Sequence, residues 1–192
     1  MAFRALAAVF AVLVLWSSGP ASMDTQLADV SEAMATGGMI ALLPRADDAE
    51  ALTVVGGEPV DELHLTLVNF GTDVMGTDVE LARRLGELVT RWSTEIKADL
   101  FGHATFSPGA PGECAVYLAG DSPELADLRD AVIEVATQVY PVPPQHDPWI
   151  PHVTAKYGVL DAALAFTGPV VFDRMRLRWA GHTTDFPLHP VA

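Results

Sequence analysis

Two short segments of the chain carry the same arrangement of a histidine and a threonine at alternate positions. They are His64-Leu65-Thr66-Leu67 and His152-Val153-Thr154-Ala155. In a β-strand, side chains two residues apart share a face, so each histidine would lie beside its threonine while the intervening residues face the core. Two imidazoles suit acid–base cleavage of a phosphodiester, because one removes a proton from the attacking oxygen and the other protonates the departing oxygen. The hydroxyls can donate hydrogen bonds to the phosphate oxygens as charge grows there.

The tripeptide His-x-Thr alone is weak evidence, because it occurs four times in the chain. The other two copies are His103-Ala104-Thr105 and His182-Thr183-Thr184. The copy at His103 leads directly into a turn-rich segment, and Asp185 interrupts the apolar alternation after His182. We therefore interpret both as surface or strand histidines and choose His64 and His152.

The elements that must position these motifs alternate between strands and helices from residue 37 onward. Apolar or alternating runs predict strands at 39–43, 63–70, 100–106, 114–118, 152–157 and 170–179, with a weaker edge strand at 183–188. Helices are predicted at 47–55, 78–98 and 122–139, the second from an apolar stripe with helical period and the third from Ser122 and Pro123 at its start. This order predicts an α+β fold in which helices pack against a mostly antiparallel sheet.

With these motifs, the chain resembles the two-histidine phosphoesterase superfamily, and within it the bacterial and phage 2′-5′ RNA ligases or RNA 2′,3′-cyclic phosphodiesterases. The resemblance covers roughly residues 38–188. It rests on both His-x-Thr segments, on Gly56-Gly57-Glu58-Pro59 before the first, and on Pro148-Trp149-Ile150-Pro151 before the second, with Tyr157-Gly158 after it. In one departure, Ala155 is a small residue for the last motif position.

The resemblance implies a bilobal, pseudo-symmetric α+β fold of mostly antiparallel sheets, with helices packed outside and a central groove. It implies that His64 and His152 are catalytic, that Thr66 and Thr154 bind the substrate, and that no metal or other cofactor is needed.

Several nearby residues are candidates of lower rank. Tyr157 and Trp149 are expected to bind substrate by stacking on a base, although core packing explains them as well. Lys156 shares the strand parity of His152 and could reach a phosphate, or could be a solvated lysine. Phe70 could line the groove or the core, and His146-Asp147 could orient a catalytic group or cap a turn.

The charge balance favours a small substrate. Lys and Arg number 11 against 25 Asp and Glu, a net charge of −14. Proteins that track long nucleic acids neutralise many phosphates with basic residues, and this chain has few. We therefore expect a small nucleotide or an RNA end as partner. The single cysteine, Cys114, can form no internal disulfide and is interpreted as a small apolar strand residue.

The N-terminal 22 residues are either a signal peptide or a spurious extension. Residues 5–16 form an apolar run that is shorter than the roughly 20 residues of a membrane span. The protein is exported in the first case, and cytoplasmic in the second, with translation starting at Met23. Residues 37–190 are expected to form a single phosphoesterase domain, which we expect to be monomeric.

Three functions stay open on the sequence. The first is a metal-independent phosphodiesterase that opens 2′,3′-cyclic phosphates of RNA ends or nucleotides. The second is a phosphodiesterase of cyclic di- or oligonucleotide signals, which the acidic composition favours. The third is a non-catalytic nucleotide-binding module, against which the two intact histidines argue.

Overall fold

The structure, a computed structural model, describes residues 36–92, 94–120, 122–158 and 164–188. Residues 1–22, expected to be a leader or a spurious extension, lie outside these ranges, as do the last two residues of the predicted domain, 189 and 190.

Ten elements follow one another along the described residues, in the order of strands and helices that the sequence predicts. The strands are β1 (Gly38–Pro44), β2 (Leu65–Gly71), β3 (Ile96–Phe106), β4 (Cys114–Gly120), β5 (His152–Tyr157), β6 (Gly168–Trp179) and β7 (His182–Pro187). The helices are α1 (Ala46–Leu52), α2 (Val79–Trp92) and α3 (Pro123–Thr137). None of these helices is long and apolar enough to cross a membrane. The predicted α+β class is confirmed.

The seven strands form one antiparallel sheet in the order β1-β2-β5-β4-β3-β6-β7, and β6 also pairs with β1. The first part of β6 pairs with β3, from Gly168 to Phe172, and its later part pairs with β1 and β7. Strand β6 therefore joins two halves of the sheet. One half contains β3, β4 and β5, and the other contains β1, β2 and β7. At the opposite side lie the two histidine strands, β2, which begins one residue after His64, and β5, which begins at His152. They pair at Leu65 and Val153.

Helices α2 and α3 cover the sheet and pack against each other. Each buries one apolar face, as the helical spacing predicts; the buried residues are Leu81, Leu85, Leu88 and Val89 in α2 and Leu125, Leu128, Val132 and Ala136 in α3. The Ser122 hydroxyl caps α3 by accepting a hydrogen bond from the backbone N–H of Leu125 at 3.3 Å. Helix α3 also packs against β2 and β3, which brings its side chains close to one histidine strand.

The predicted helix over 78–98 is wrong at its C-terminal end. Helix α2 ends at Trp92, and Ile96 opens β3, where it pairs with Phe172 of β6. From Ile96 to Leu100, buried and exposed residues alternate strictly. This period of two places Ile96 in the sheet core, although the same residue also extends the helical stripe of α2.

Candidate active site

The two predicted histidine motifs line one open cavity of about 650 Å³. Its wall is formed by residues of the two histidine strands, of the β3–β4 hairpin, of α3 and of the loop before β5. The lining residues are His64, Thr66, Leu67, Asn69, Thr105, Phe106, Ser107, Gly112, Cys114, Arg129, Gln145, His146, Asp147, Pro148, Trp149, Ile150, His152, Thr154 and Tyr157. All six residues predicted as catalytic or substrate-binding are among them.

The register of β2 against β5 sets how the two motifs face each other. Leu65 and Val153, the residues after each histidine, are partners in this antiparallel pair. Since partner positions run in opposite directions, His64 falls opposite Thr154 and His152 falls opposite Thr66. The arrangement is therefore pseudo-symmetric about the pair formed by Leu65 and Val153.

Each imidazole is oriented by a carbonyl of its own chain two residues earlier. Nδ1 of His64 lies 2.6 Å from the oxygen of Glu62, and Nδ1 of His152 lies 2.7 Å from the oxygen of Ile150. A carbonyl oxygen only accepts hydrogen bonds, so Nδ1 carries the proton in both rings. The bond leaves Nε2 of each ring as the nitrogen that can accept or donate a proton at the cavity.

A β-bulge follows each motif at the same place. Against β1, Ala41 pairs with Thr66 and Ile40 with Val68, so Leu67 is an extra residue in β2. Against β4, Val116 pairs with Thr154 and Ala115 with Lys156, so Ala155 is an extra residue in β5. Both bulges lie three residues after a histidine, and each shifts the side-chain alternation by one position.

The bulges change which later residues reach the cavity. Asn69 and Tyr157, both five residues after a histidine, line the cavity, although simple alternation would turn them away. Lys156, which simple alternation predicts to face the groove, is not among the lining residues; its Nζ atom instead lies near Gly56. Phe70 is also absent from the wall and packs on Trp179, with ring centroids 5.2 Å apart.

The glycine-rich segment before the first motif packs against the second bulge. The backbone N–H of Glu58 donates to the carbonyl oxygen of Ala155 at 2.8 Å. A Cβ atom at Gly57 would lie 2.4 Å from that same oxygen. Only glycine therefore permits this close approach, which ties the segment before His64 to the strand that carries His152.

A charged pair lies behind His64. Arg178 of β6 is only 9% exposed and donates to the carboxylate of Glu62, the residue whose carbonyl orients His64. Burial lowers the pKa of His64, and the positive charges of Arg178 and His152 lower it further, whereas the bond to the Glu62 carbonyl and the Glu62 carboxylate act in the opposite direction. The net direction is downward, so the surroundings of His64 favour its neutral form.

His152 has different neighbours. The ring of Phe106, from the β3–β4 hairpin, packs against the imidazole in a T-shaped arrangement with centroids 4.8 Å apart. The Cys114 thiol lies beside the Thr154 side chain, and burial raises the pKa of that thiol. Cys114 is a buried strand residue, as predicted, and it also forms part of the cavity wall.

The aromatic candidates line the cavity in different ways. Tyr157 is 43% exposed, and burial of its hydroxyl raises its pKa. Trp149 is half-buried and has the guanidinium of Arg129 over its ring, 4.5 Å from the centroid. His146 and Asp147 also line the cavity.

The two rival histidines lie elsewhere. His103 is exposed, contacts the carbonyl oxygen of Phe166 through Nε2 at 2.7 Å, and does not line the cavity. His182 is exposed at the start of β7, opposite Trp179. The structure thus brings together the two motifs chosen from the sequence.

Sequence reasoning missed Arg129, Asn69, Gln145 and the hairpin residues Thr105, Phe106 and Ser107 as parts of the wall. Asn69 and Tyr157 occupy equivalent positions after the two histidines, which a comparison of the two motifs beyond the threonine could have revealed. Arg129 lies on a helical face that carries no local motif. Within the described ranges, no group of three or more His, Cys, Asp or Glu side chains is arranged to hold a metal ion.

Comparison with known proteins gives one family match. The model of the 2′-5′ RNA ligase superfamily matches residues 56–184, a range that contains both histidine strands. Comparison with curated proteins gives no match.

Solved structures with the same fold include TT0787 of Thermus thermophilus, with a TM-score of 0.58 and 19% identity, over 81% of this chain and 100% of that one. They also include Escherichia coli LigT complexed with 3′-AMP and with NADP+, each with a TM-score of 0.50 and 19% identity, over 80% of this chain and 95% of LigT.

Proposed function

The chain belongs to the 2′-5′ RNA ligase superfamily of two-histidine phosphoesterases, and we propose that it is a metal-independent phosphodiesterase that opens 2′,3′-cyclic phosphates of RNA ends or nucleotides. Membership confirms the resemblance inferred from the two His-x-Thr segments. The observation that carries the proposal is that His64 and His152, each fixed through Nδ1 and each next to a threonine, line the same cavity.

The lowered pKa of His64 supports its role as general base, since a neutral imidazole accepts a proton. In the proposed reaction a water oxygen attacks the phosphorus and its proton passes to Nε2 of His64. The bond from phosphorus to the 3′ oxygen breaks, and this oxygen takes a proton from Nε2 of protonated His152. The product carries a 2′-phosphate and a 3′-hydroxyl, and Thr66 and Thr154 donate to the non-bridging oxygens during the attack.

Tyr157 and Trp149 are the proposed contacts for the nucleoside. Tyr157 offers a partly exposed ring on the cavity wall, and aromatic faces hold unpaired bases without reading their sequence. Trp149 has one face covered by Arg129, so stacking on a base would use its remaining surface. The complexes of LigT with 3′-AMP and NADP+ support a ligand of nucleotide size.

A phosphodiesterase of cyclic di- or oligonucleotide signals is the second candidate. The net charge of −14 favours it, because such a ligand is small and its charge is limited, whereas an acidic protein repels long RNA. Turnover of 2′,3′-cyclic mononucleotides, short RNA with a cyclic end, and cyclic dinucleotides, each followed by chromatography, separates the candidates. Binding without turnover of any of them would indicate the non-catalytic nucleotide-binding module.

The variants His64→Ala and His152→Ala test the proposed site. Each is expected to lower kcat by about 10²–10⁴-fold, the usual contribution of a positioned acid or base, and both should fold, because their side chains face the cavity. His103→Ala is the matched control and should retain wild-type turnover. A loss at His103 equal to that at His64 would contradict the assignment, and loss of activity in EDTA that a divalent ion restores would contradict the metal-independent mechanism.

A further inference from the structure

Arg129 of α3 is held firmly at the end of the cavity beyond Thr66. Its Nε donates to the carbonyl oxygen of Leu67 at 3.2 Å, and its guanidinium lies 4.5 Å from the ring centroid of Trp149. These two contacts fix the plane of the side chain from two elements. An arginine with its rotamers already restricted loses little further entropy when it binds a ligand.

The contact at Leu67 is possible because β2 and β5 diverge beyond Leu65, the position where they pair. Past that point, polar side chains take the place of a strand along the edge of β2. Arg129 donates a hydrogen bond to the carbonyl oxygen of Leu67. The Gln145 side-chain amide accepts from the N–H of Asn69 and donates to its carbonyl oxygen, both at 2.9 Å. The guanidinium therefore stands in the gap where the two histidine strands separate.

Among the described residues, Arg129 differs from most arginines in having no carboxylate partner. In the described ranges six of the eight arginines form ion pairs with Asp or Glu; they are Arg45, Arg83, Arg84, Arg174, Arg176 and Arg178. Arg129 forms none, although Asp147 lines the same cavity and Asp130 is its neighbour on the helix.

Among the described residues that line the cavity, Arg129 is also the one arginine or lysine. Its hydrogen bond to Leu67 uses Nε, and no hydrogen bond to another described residue uses its terminal nitrogens. Partial burial disfavours the charged form and lowers its pKa, so an anion at this place would meet a partly desolvated guanidinium with free donors. Planar guanidinium groups bind phosphate oxygens through two parallel N–H bonds.

We propose that Arg129 binds a second phosphate of the substrate, the one attached to the 5′ oxygen of the nucleotide whose cyclic phosphate lies between His64 and His152. Leu67 follows His64 by three residues, so its carbonyl lies no more than about 10 Å along the chain from His64, a distance that one nucleotide can span. This inference rests on the proposed function and refines it. The preferred substrates are RNA ends or 5′-phosphorylated cyclic nucleotides, and nucleosides with a cyclic phosphate alone are poorer.

Steady-state kinetics with two substrates test the inference. Adenosine 2′,3′-cyclic phosphate is compared with its 5′-phosphorylated form, for the wild type, Arg129→Gln and Arg91→Gln. Arg91 is an exposed arginine of α2 outside the cavity wall and controls for the loss of one positive charge. We expect the wild type and Arg91→Gln to prefer the 5′-phosphorylated substrate by about tenfold or more in kcat/KM, mainly through KM. In Arg129→Gln the ratio should fall close to one.

Two kinetic outcomes would overturn the inference. One is a wild type without preference for the 5′-phosphate. The other is an Arg129→Gln variant that loses activity equally on both substrates. That result is expected if Arg129 only stabilises the structure of β2 and does not bind a phosphate.

A binding measurement separates this inference from the proposed function. Calorimetric titration of adenosine 2′-phosphate and adenosine 2′,5′-bisphosphate needs no turnover. The bisphosphate should bind about tenfold more tightly to the wild type, and this advantage should vanish in Arg129→Gln. If neither cyclic compound is hydrolysed but the difference in binding holds, the proposed function fails and the phosphate site stands. If hydrolysis occurs while both ligands bind equally, or if neither binds, the phosphate site is refuted.

Discussion

His64 and His152 are oriented in the same way by their own backbone, but their surroundings differ. Both use Nδ1 to donate to a carbonyl two residues earlier. Behind His64, however, Arg178 and Glu62 form a half-buried ion pair, whereas Phe106 packs against the ring of His152. The pseudo-symmetric backbone thus presents two similar imidazoles in unlike surroundings, and the proposed division into a base and an acid requires such a difference.

Removing either charge of the Arg178–Glu62 ion pair should shift the pKa of His64, and the two shifts should have opposite signs. Glu62→Gln removes a negative charge that raises the pKa of His64, so the pKa should fall and the acid limb of the kcat/KM profile should move to lower pH. Arg178→Gln removes a positive charge that lowers the same pKa, so the limb should move to higher pH. The two shifts should therefore have opposite signs, because the Glu62 and Arg178 charges act on the His64 ring in opposite directions.

Titration of the His64 ring by NMR checks these shifts independently of activity. Thermal unfolding should accompany it, because Arg178 is buried and its loss leaves Glu62 without that partner. Shifts of the same sign in both variants would show that distortion of the site, and not charge, determines the pKa of His64.

At the level of strands, the sequence correctly predicted β2 and β5, and both histidine–threonine pairs line one cavity. The predicted start of the first strand is wrong, since β2 begins at Leu65 and His64 lies just before it. Beyond Thr66 and Thr154 the prediction fails, because the bulges at Leu67 and Ala155 reverse the parity. A bulge depends on what the neighbouring strand and loop offer, which local sequence does not show; Lys156 therefore leaves the wall and Tyr157 faces it.

The packing of Gly57 against the second bulge gives a prediction at this level. Gly57→Ala would place Cβ 2.4 Å from the Ala155 oxygen and 2.5 Å from Cγ2 of Val54. We expect the free energy of unfolding to fall by about 1–3 kcal/mol, as for other overpacked sites. KM should rise as well, because the displaced bulge would move Tyr157.

Chemical denaturation and steady-state kinetics measure both effects. Gly102→Ala is the matched control in β3, since no atom lies within 4 Å of the position its Cβ would take. It should leave stability and KM close to wild type. A Gly57→Ala variant that is as stable as this control would show that the close approach to Ala155 is not required.

For the whole molecule, the net charge of −14 should govern how substrates of different length respond to salt. A cyclic-phosphate-ended RNA of about ten nucleotides carries many negative charges and is repelled at low ionic strength, whereas a mononucleotide is affected far less. Raising NaCl from about 20 to 200 mM should therefore lower KM for the RNA by roughly two- to fivefold and leave kcat unchanged.

The comparison needs only KM values for both substrates at the two salt concentrations. A KM for RNA that rises with salt would match proteins that bind nucleic acid through many basic contacts and would contradict the expectation of a small or terminal substrate.

Strand β6 makes the two halves of the molecule a single cooperative unit. It supplies a pairing edge to β3 in one half and to β1 and β7 in the other. Opening either half exposes part of the same strand, so neither can melt while the other keeps all of its hydrogen bonds. His64 and His152, one in each half, should then lose their structure in one all-or-none transition, and the cavity should have no partly unfolded state in which only one histidine remains in place.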